Sequence, residues 1–125
     1  MRKALFSALG VLLVAGVASA QAMGAKSGGA ATPDELRTRW MAAANAKDGA
    51  GIAALYMENA LLMPPNAAAV KGRAAIQAFF QGMIDQGAHD ITLGKVDAGT
   101  SGSWAYEAGT YGATFGTTKD TGKYL

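Results

Sequence analysis

The sequence predicts one α+β domain with its helices first and an antiparallel meander after them. Two observations predict this order. Between Thr32 and Gly87 the apolar residues recur at helical spacing, interrupted by one short run that stops at Pro64-Pro65. After Gly87 the period changes to two, and threonine and aromatic residues become frequent. The chain has 125 residues, which suits a single core rather than two.

The first residues read as a targeting segment rather than as part of that domain. Arg2 and Lys3 give a positive start, Ala4 to Val17 is apolar, and Ala18-Ser19-Ala20 is a small-x-small cleavage site. The apolar run is about 14 residues, against the roughly 20 needed to span a bilayer. We therefore expect residues 1–20 to be a cleaved signal peptide and the protein to be exported, periplasmic or secreted, with no membrane association after cleavage. Residues 21–31 are mostly Gly and Ala, with Gln21, Met23, Lys26 and Ser27, have no periodicity and read as a flexible linker. The domain is expected over residues 32–125. The whole chain has 11 Lys+Arg against 9 Asp+Glu. Loss of Arg2 and Lys3 removes the excess, so the basic balance belongs to the signal segment and is no evidence for nucleic acid, which needs clustered Lys/Arg on one face. With no cysteine, stability must come from packing and not from disulfides.

Thr32-Pro33-Asp34-Glu35 begins the first helix. Thr32 can cap it, Pro33 suits its first position and Glu35 completes a capping box. Leu36 and Trp40 then face inward. Asn45 to Gly49 breaks the helix, and Asp48 caps a second, short one carrying Ile52, Leu55 and Tyr56. Ala60 to Met63 reads as a brief strand, and Asn66 to Val70 as loop. Gly72-Arg73 opens a third helix, whose stripe of Ile76, Phe79, Phe80, Met83 and Ile84 marks it as core. Gly87 ends it. Asp90 to Asp97 is a strand, residues 98–102 a turn, Ser103 to Phe115 a long strand, residues 116–122 a turn, and Lys123-Tyr124-Leu125 the start of a further strand. No internal repeat is visible.

Six pieces now stand in order: W-M-A-A-A-N-A-K-D from Trp40, Ile52 to Tyr56, Glu58-Asn59-Ala60 with Leu62-Met63-Pro64-Pro65, Gly72 to Ile76 with Phe79-Phe80, Ala105 to Tyr111, and Gly122 to Leu125. Together they resemble the SnoaL-like, ketosteroid-isomerase-like branch of the nuclear transport factor 2-like superfamily, from about Thr32 to the last residue. The resemblance implies a cone: a strongly curved antiparallel sheet wrapped around a long helix, with an apolar pocket at one end. It implies a small apolar molecule as partner and a homodimer for the full-length form. It also implies that relatives continue past the Gly122–Leu125 strand, so the chain reads as a fragment lacking the last strands. On that reading the Ser103–Phe115 strand keeps an unpaired edge, and the chain is prone to aggregate.

The proton-transfer groups of a ketosteroid isomerase do not carry over. Aligned on the N-A-K-D and A-L-L-M-P-P landmarks, its tyrosine position falls on Trp40, its general base on Pro64 or Met63, and its neutral Asp within Lys123–Leu125. None supplies the acid–base chemistry that such a site uses. Trp40, Tyr56, Met63, Trp104, Tyr106 and Tyr111 are the candidate pocket residues. Glu107 is the one candidate catalytic carboxylate. On alternation it shares a face with Ala105, Gly109 and Tyr111, opposite Trp104, Tyr106, Ala108 and Thr110, and the expectation is an outward or rim placement. Glu58 and His89 read as surface residues. One histidine without clustered carboxylates makes no metal site, and no phosphate loop, G-x-S-x-G or cysteine nucleophile is present. No cofactor is expected. The functional expectation is an exported domain that binds a small apolar molecule with no identifiable catalytic set. The alternatives are an isomerase- or lyase-type enzyme using Glu107 and a tyrosine, or a dimerisation module.

Overall fold

The structure, a computed structural model, describes residues 31–125. The expected signal peptide and all but the last residue of the expected linker lie outside the described residues. In chain order the elements are α1 (Pro33–Asn45), α2 (Gly49–Ala53), β1 (Leu61–Leu62), β2 (Val70–Lys71), α3 (Arg73–Asp85), β3 (Ala88–Ser101), β4 (Trp104–Phe115) and β5 (Thr118–Tyr124). The mixture of helices with antiparallel sheet is the expected class. A single long helix is not part of it among the described residues, since α1 and α3 have 13 residues each.

Both helix starts form as the sequence dictates. Thr32 Oγ1 accepts from Glu35 N–H at 3.2 Å, and Thr32 N–H donates back to Glu35 Oε2 at 2.8 Å. These two bonds satisfy donors that a helix terminus otherwise leaves open. Asp48 Oδ1 caps α2 by accepting from Gly51 N–H at 2.8 Å. The stretch expected as loop before α3 instead ends in β2, which pairs antiparallel with β1. Arg73 fixes the start of α3 by donating from Nε to Tyr56 O at 2.8 Å and pairing with Glu58 at 2.6 Å.

The buried line of α3 is Ile76, Phe80 and Ile84; Phe79 and Met83 are only partly covered. The stripe is thus narrower than its sequence suggests. Phe80 meets Trp40 edge-to-face, with centroids 5.3 Å apart at 82°, and lies 6.0 Å from the Tyr56 ring. That arrangement suits the ring quadrupoles. Trp40 also donates from Nε1 to Tyr56 Oη at 3.2 Å, so its indole N–H finds its partner on a second buried aromatic inside the core. The core lies between these helices and Ile91, Leu93, Tyr111, Ala113 and Tyr124 of the sheet.

The sheet has the order β3-β4-β5, all antiparallel. Two corrections to the sequence reading share one cause. The turns expected at residues 98–102 and 116–122 shrink to two residues each, because Ser101 pairs with Trp104 and Phe115 with Thr118. Gly102 and Gly116, at φ 58° and 61°, lead these loops, and a positive φ at that position lets two residues reverse the chain. The polar residues on either side are therefore strand. β3 also begins earlier than the Asp90 expected, so that His89 lies in the strand opposite Thr114, and β5 begins at Thr118. The unpaired edge expected along β4 is absent over Gly109–Phe115, where β5 pairs with it; Trp104–Ala108 pairs with β3 alone. On the α1 side, Asn45 bonds both backbone groups of Ile91, at 2.8 and 2.9 Å, beside a register shift in β3.

A short local repeat does exist in these strands. Asp97-Ala98-Gly99, Glu107-Ala108-Gly109 and Asp120-Thr121-Gly122 each read acid-x-Gly. Each glycine lies directly opposite a tyrosine on the neighbouring strand: Gly99 and Tyr106, Gly109 and Tyr124, Gly122 and Tyr111. In each pair the ring lies where the glycine's missing Cβ would be, at 2.5 Å from that point. The ring then carries its hydroxyl to the acid two residues before the glycine: Tyr106 to Asp97 at 2.8 Å, Tyr124 to Glu107 at 2.6 Å, and Tyr111 to Asp120 at 3.3 Å. Cross-strand pairing thus places three tyrosine hydroxyls by one geometric rule.

Candidate functional site

Along β4 the buried side chains alternate as Glu107, Gly109, Tyr111 and Ala113. Glu107 is only 6% exposed, which corrects the outward or rim placement expected from its charge. A buried carboxylate needs hydrogen bonds and a counterion, and both are supplied. Tyr124 Oη donates to Oε1 at 2.6 Å, and Arg37 Nη1 donates to Oε2 at 2.5 Å. Arg37 comes from α1, and Tyr124 is held beside the site by the glycine rule through Gly109. The sheet and the first helix therefore meet at Glu107.

The network continues to the surface. Arg37 Nη2 pairs with Asp34 at 2.7 Å, and Lys95 Nζ donates to both Asp34 oxygens at 3.0 and 3.2 Å. These cations hold Asp34 below the usual carboxylate range, Lys95 most of all. The hydrogen bond to Glu107 raises the Arg37 guanidinium above its ordinary value and keeps it charged. Burial, reinforced by the bond to Glu107, pushes the Tyr124 phenol well above its usual range. The phenol is therefore a donor in this site at any physiological pH.

Beside the network is a cavity lined by Pro33, Arg37, Leu93, Ala105, Tyr106, Glu107 and Tyr124. Its enclosed volume is about 10 Å³, of the order of one water molecule. Most of its wall is apolar, while Arg37, Glu107 and Tyr124 give it polar groups. Among the described residues no group of three or more His, Asp or Glu side chains could hold a metal ion.

A family model for the SnoaL-like domain matches residues 38–124. The chain belongs to the SnoaL-like family. That family is part of the nuclear transport factor 2-like superfamily. A search of curated proteins finds no match.

Of the pocket residues expected for this SnoaL-like domain, the structure brings Tyr106 to the cavity. Its hydroxyl, however, is turned to Asp97 and lies on the more exposed face of β4. Trp40, Tyr56 and Tyr111 are core residues, 1–7% exposed. Met63 and Trp104 are exposed, at 53% and 62%, and are outside the cavity lining. At the positions where an isomerase would carry its tyrosine and base, the domain has Trp40 bonded to Tyr56, a buried Pro64 and an outward Met63. Glu58 is exposed in its pair with Arg73. His89 is partly exposed, with Nδ1 2.9 Å from Asp90 and Nε2 3.2 Å from Gly116 O.

Sequence reasoning missed Arg37, Tyr124, Asp34 and Lys95 as members of the site. A signal for Arg37 was available. It precedes Trp40 and Ala44 by three and seven residues, which puts a cation on the inward stripe of α1. Tyr124 was signalled by the acid-x-Gly repeat, which carries meaning only once the strand register is known.

Proposed function

We propose that this SnoaL-like domain is an exported protein that binds a small, largely apolar molecule at the cavity beside Glu107, without chemistry of its own. The observation that carries the reading is the state of Glu107. The one buried carboxylate at the cavity has both oxygens engaged, by Tyr124 and Arg37, and neither is reserved for a substrate proton. A general base must reach that proton within hydrogen-bond distance. Apolar lining with a few convergent polar groups is the usual make-up of a ligand site. Because the enclosed space is so small, a ligand of more than a few atoms rests at the mouth or displaces the Tyr124 ring. Export is supported by Arg2 and Lys3, the apolar run to Val17 and the Ala18-Ser19-Ala20 site.

The test is native mass spectrometry of the protein purified from the exported fraction. The reading predicts a mass beginning after Ala20 or Ala22 and a small molecule released on unfolding. Ketosteroid isomerisation well above buffer that is lost in Glu107→Gln overturns it. A specific observation favours that second reading: Tyr124 donates to Glu107 at 2.6 Å, which brings a carboxylate and a tyrosine together beside a cavity. A homodimer is a separate proposal. Val96, Trp104 and Tyr106 expose apolar surface on the β3–β4 hairpin, and a mass doubled in light scattering that Trp104→Asp halves is its expected result.

A further inference from the structure

We propose that the ligand of this site carries a carboxylate, and that Asp34 occupies the position which that carboxylate takes. The inference rests on the binding reading above. Asp34 lies just outside the cavity lining, beside the lining residues Pro33 and Arg37, and is gripped by two cations from different elements, Arg37 of α1 and Lys95 of β3. Its side chain is 56% exposed, so nothing encloses it, and exposed pairs of this kind are weak. Arg37 is 17% exposed and is anchored from behind by Glu107. That buried contact fixes one edge of the guanidinium and leaves the Nη2 edge turned to Asp34 at the surface. The result is a held cation that shares the cavity lining with the apolar Pro33, Leu93 and Ala105, a second cation joined to it through Asp34, and an acid of the chain itself in the anion position.

The charges decide the ligand class. Asp34 and Glu107 balance Arg37 and Lys95. A neutral ligand gains nothing from the two cations while Asp34 holds them. An anionic ligand replaces Asp34 one for one: its carboxylate takes the donors of Arg37 Nη2 and Lys95 Nζ, and its hydrocarbon shields that pair from water, so the donors are worth more to the ligand than to the open Asp34 pair. Charge-assisted bonds to a planar guanidinium favour a carboxylate over a hydroxyl in this position. The ligand is therefore an apolar monocarboxylate with its hydrocarbon against Pro33, Leu93 and Ala105, and Asp34 is a built-in competitor for its head group.

The experiment is isothermal titration of the mature protein with 3-phenylpropionate and 3-phenylpropan-1-ol, which differ only in the head group. The acid is expected to bind about tenfold tighter than the alcohol, the size of one charge-assisted hydrogen bond. Asp34→Asn is expected to tighten the acid several-fold and the alcohol by clearly less. Lys95→Gln, at a side chain 41% exposed and therefore safe for folding, is expected to weaken the acid alone. Equal binding of acid and alcohol, or acid binding indifferent to both substitutions, overturns the carboxylate inference while the binding reading stands. Failure of both probes to bind the parent protein and the Asp34→Asn variant defeats the binding reading and this inference with it.

Discussion

Gly109→Ala probes the link between sheet pairing and the site with a single methyl group. A Cβ at Gly109 would lie 2.3 Å from Gly94 O and 2.5 Å from two atoms of the Tyr124 ring. The first contact is with backbone and cannot be relieved by a rotamer change. The second pushes Tyr124 off the position from which it reaches Glu107. Overpacking of this kind costs about 1–3 kcal/mol, and the lost hydrogen bond to a charged group about 1.5–3. The reduced freedom of the unfolded chain returns about 0.4–1 kcal/mol. The net expectation is a destabilisation of about 2–5 kcal/mol, which for a domain of this length lowers Tm by roughly 10–30 °C. Urea unfolding followed by tryptophan fluorescence reads the change. Gly82→Ala is the matched control, in the middle of α3 with nothing near its would-be Cβ, and is expected to stabilise by about 0.5–1 kcal/mol. If Gly109→Ala leaves the midpoint within error of the parent, the Tyr124 ring does not lie on Gly109 and the proposed placement of the site is wrong.

Arg37→Ala leaves Glu107 buried without its counterion and is expected to cost about 3–5 kcal/mol, whereas Glu107→Gln, which keeps the Tyr124 contact, costs less in the same denaturant series. Phe80→Ala opens the centre of the core and is expected to cost about 3–5 kcal/mol, with Phe79→Ala clearly milder because its ring is only partly covered. Acid should destabilise the domain through Asp34 and Glu35, both held below their ordinary values in the fold, Asp34 by Lys95 and Arg37 and Glu35 by Thr32. Depressed carboxylates stabilise above their unfolded pKa, so the contribution is complete above about pH 5 and is lost as pH falls through the lower folded values; Tm measured from pH 6 to 3 checks this, and Asp34→Asn should flatten the slope.

How much of this was legible in the sequence depends on the range of the interaction. Thr32, Glu35 and Asp48 act within one helical turn, and their caps form as the local pattern dictates. The alternation along β4 was equally local and correctly put Glu107 on the face of Tyr111. Which face is buried was not local. It depends on Arg37 arriving from 70 residues away, and a lone glutamate on a strand otherwise reads as solvent-facing. The turns were misjudged because polar residues such as Lys119, Asp120 and Thr121 resemble loop until β5 is seen to pair with β4. The expected aromatic pocket failed for a related reason. Trp40 pairs its indole N–H with the Tyr56 hydroxyl inside the core, so neither has to face a cavity.

The meeting point of α1, β4 and β5 around Glu107 is where we propose that the ligand binds. The most direct measurement is an amide chemical-shift titration of the isotope-labelled mature protein with 3-phenylpropionate. Saturable shifts concentrated at Arg37, Leu93, Ala105, Tyr106, Glu107 and Tyr124 are expected. Shifts confined to Val96 and Trp104 on the outer hairpin, or scattered and non-saturating, would contradict it.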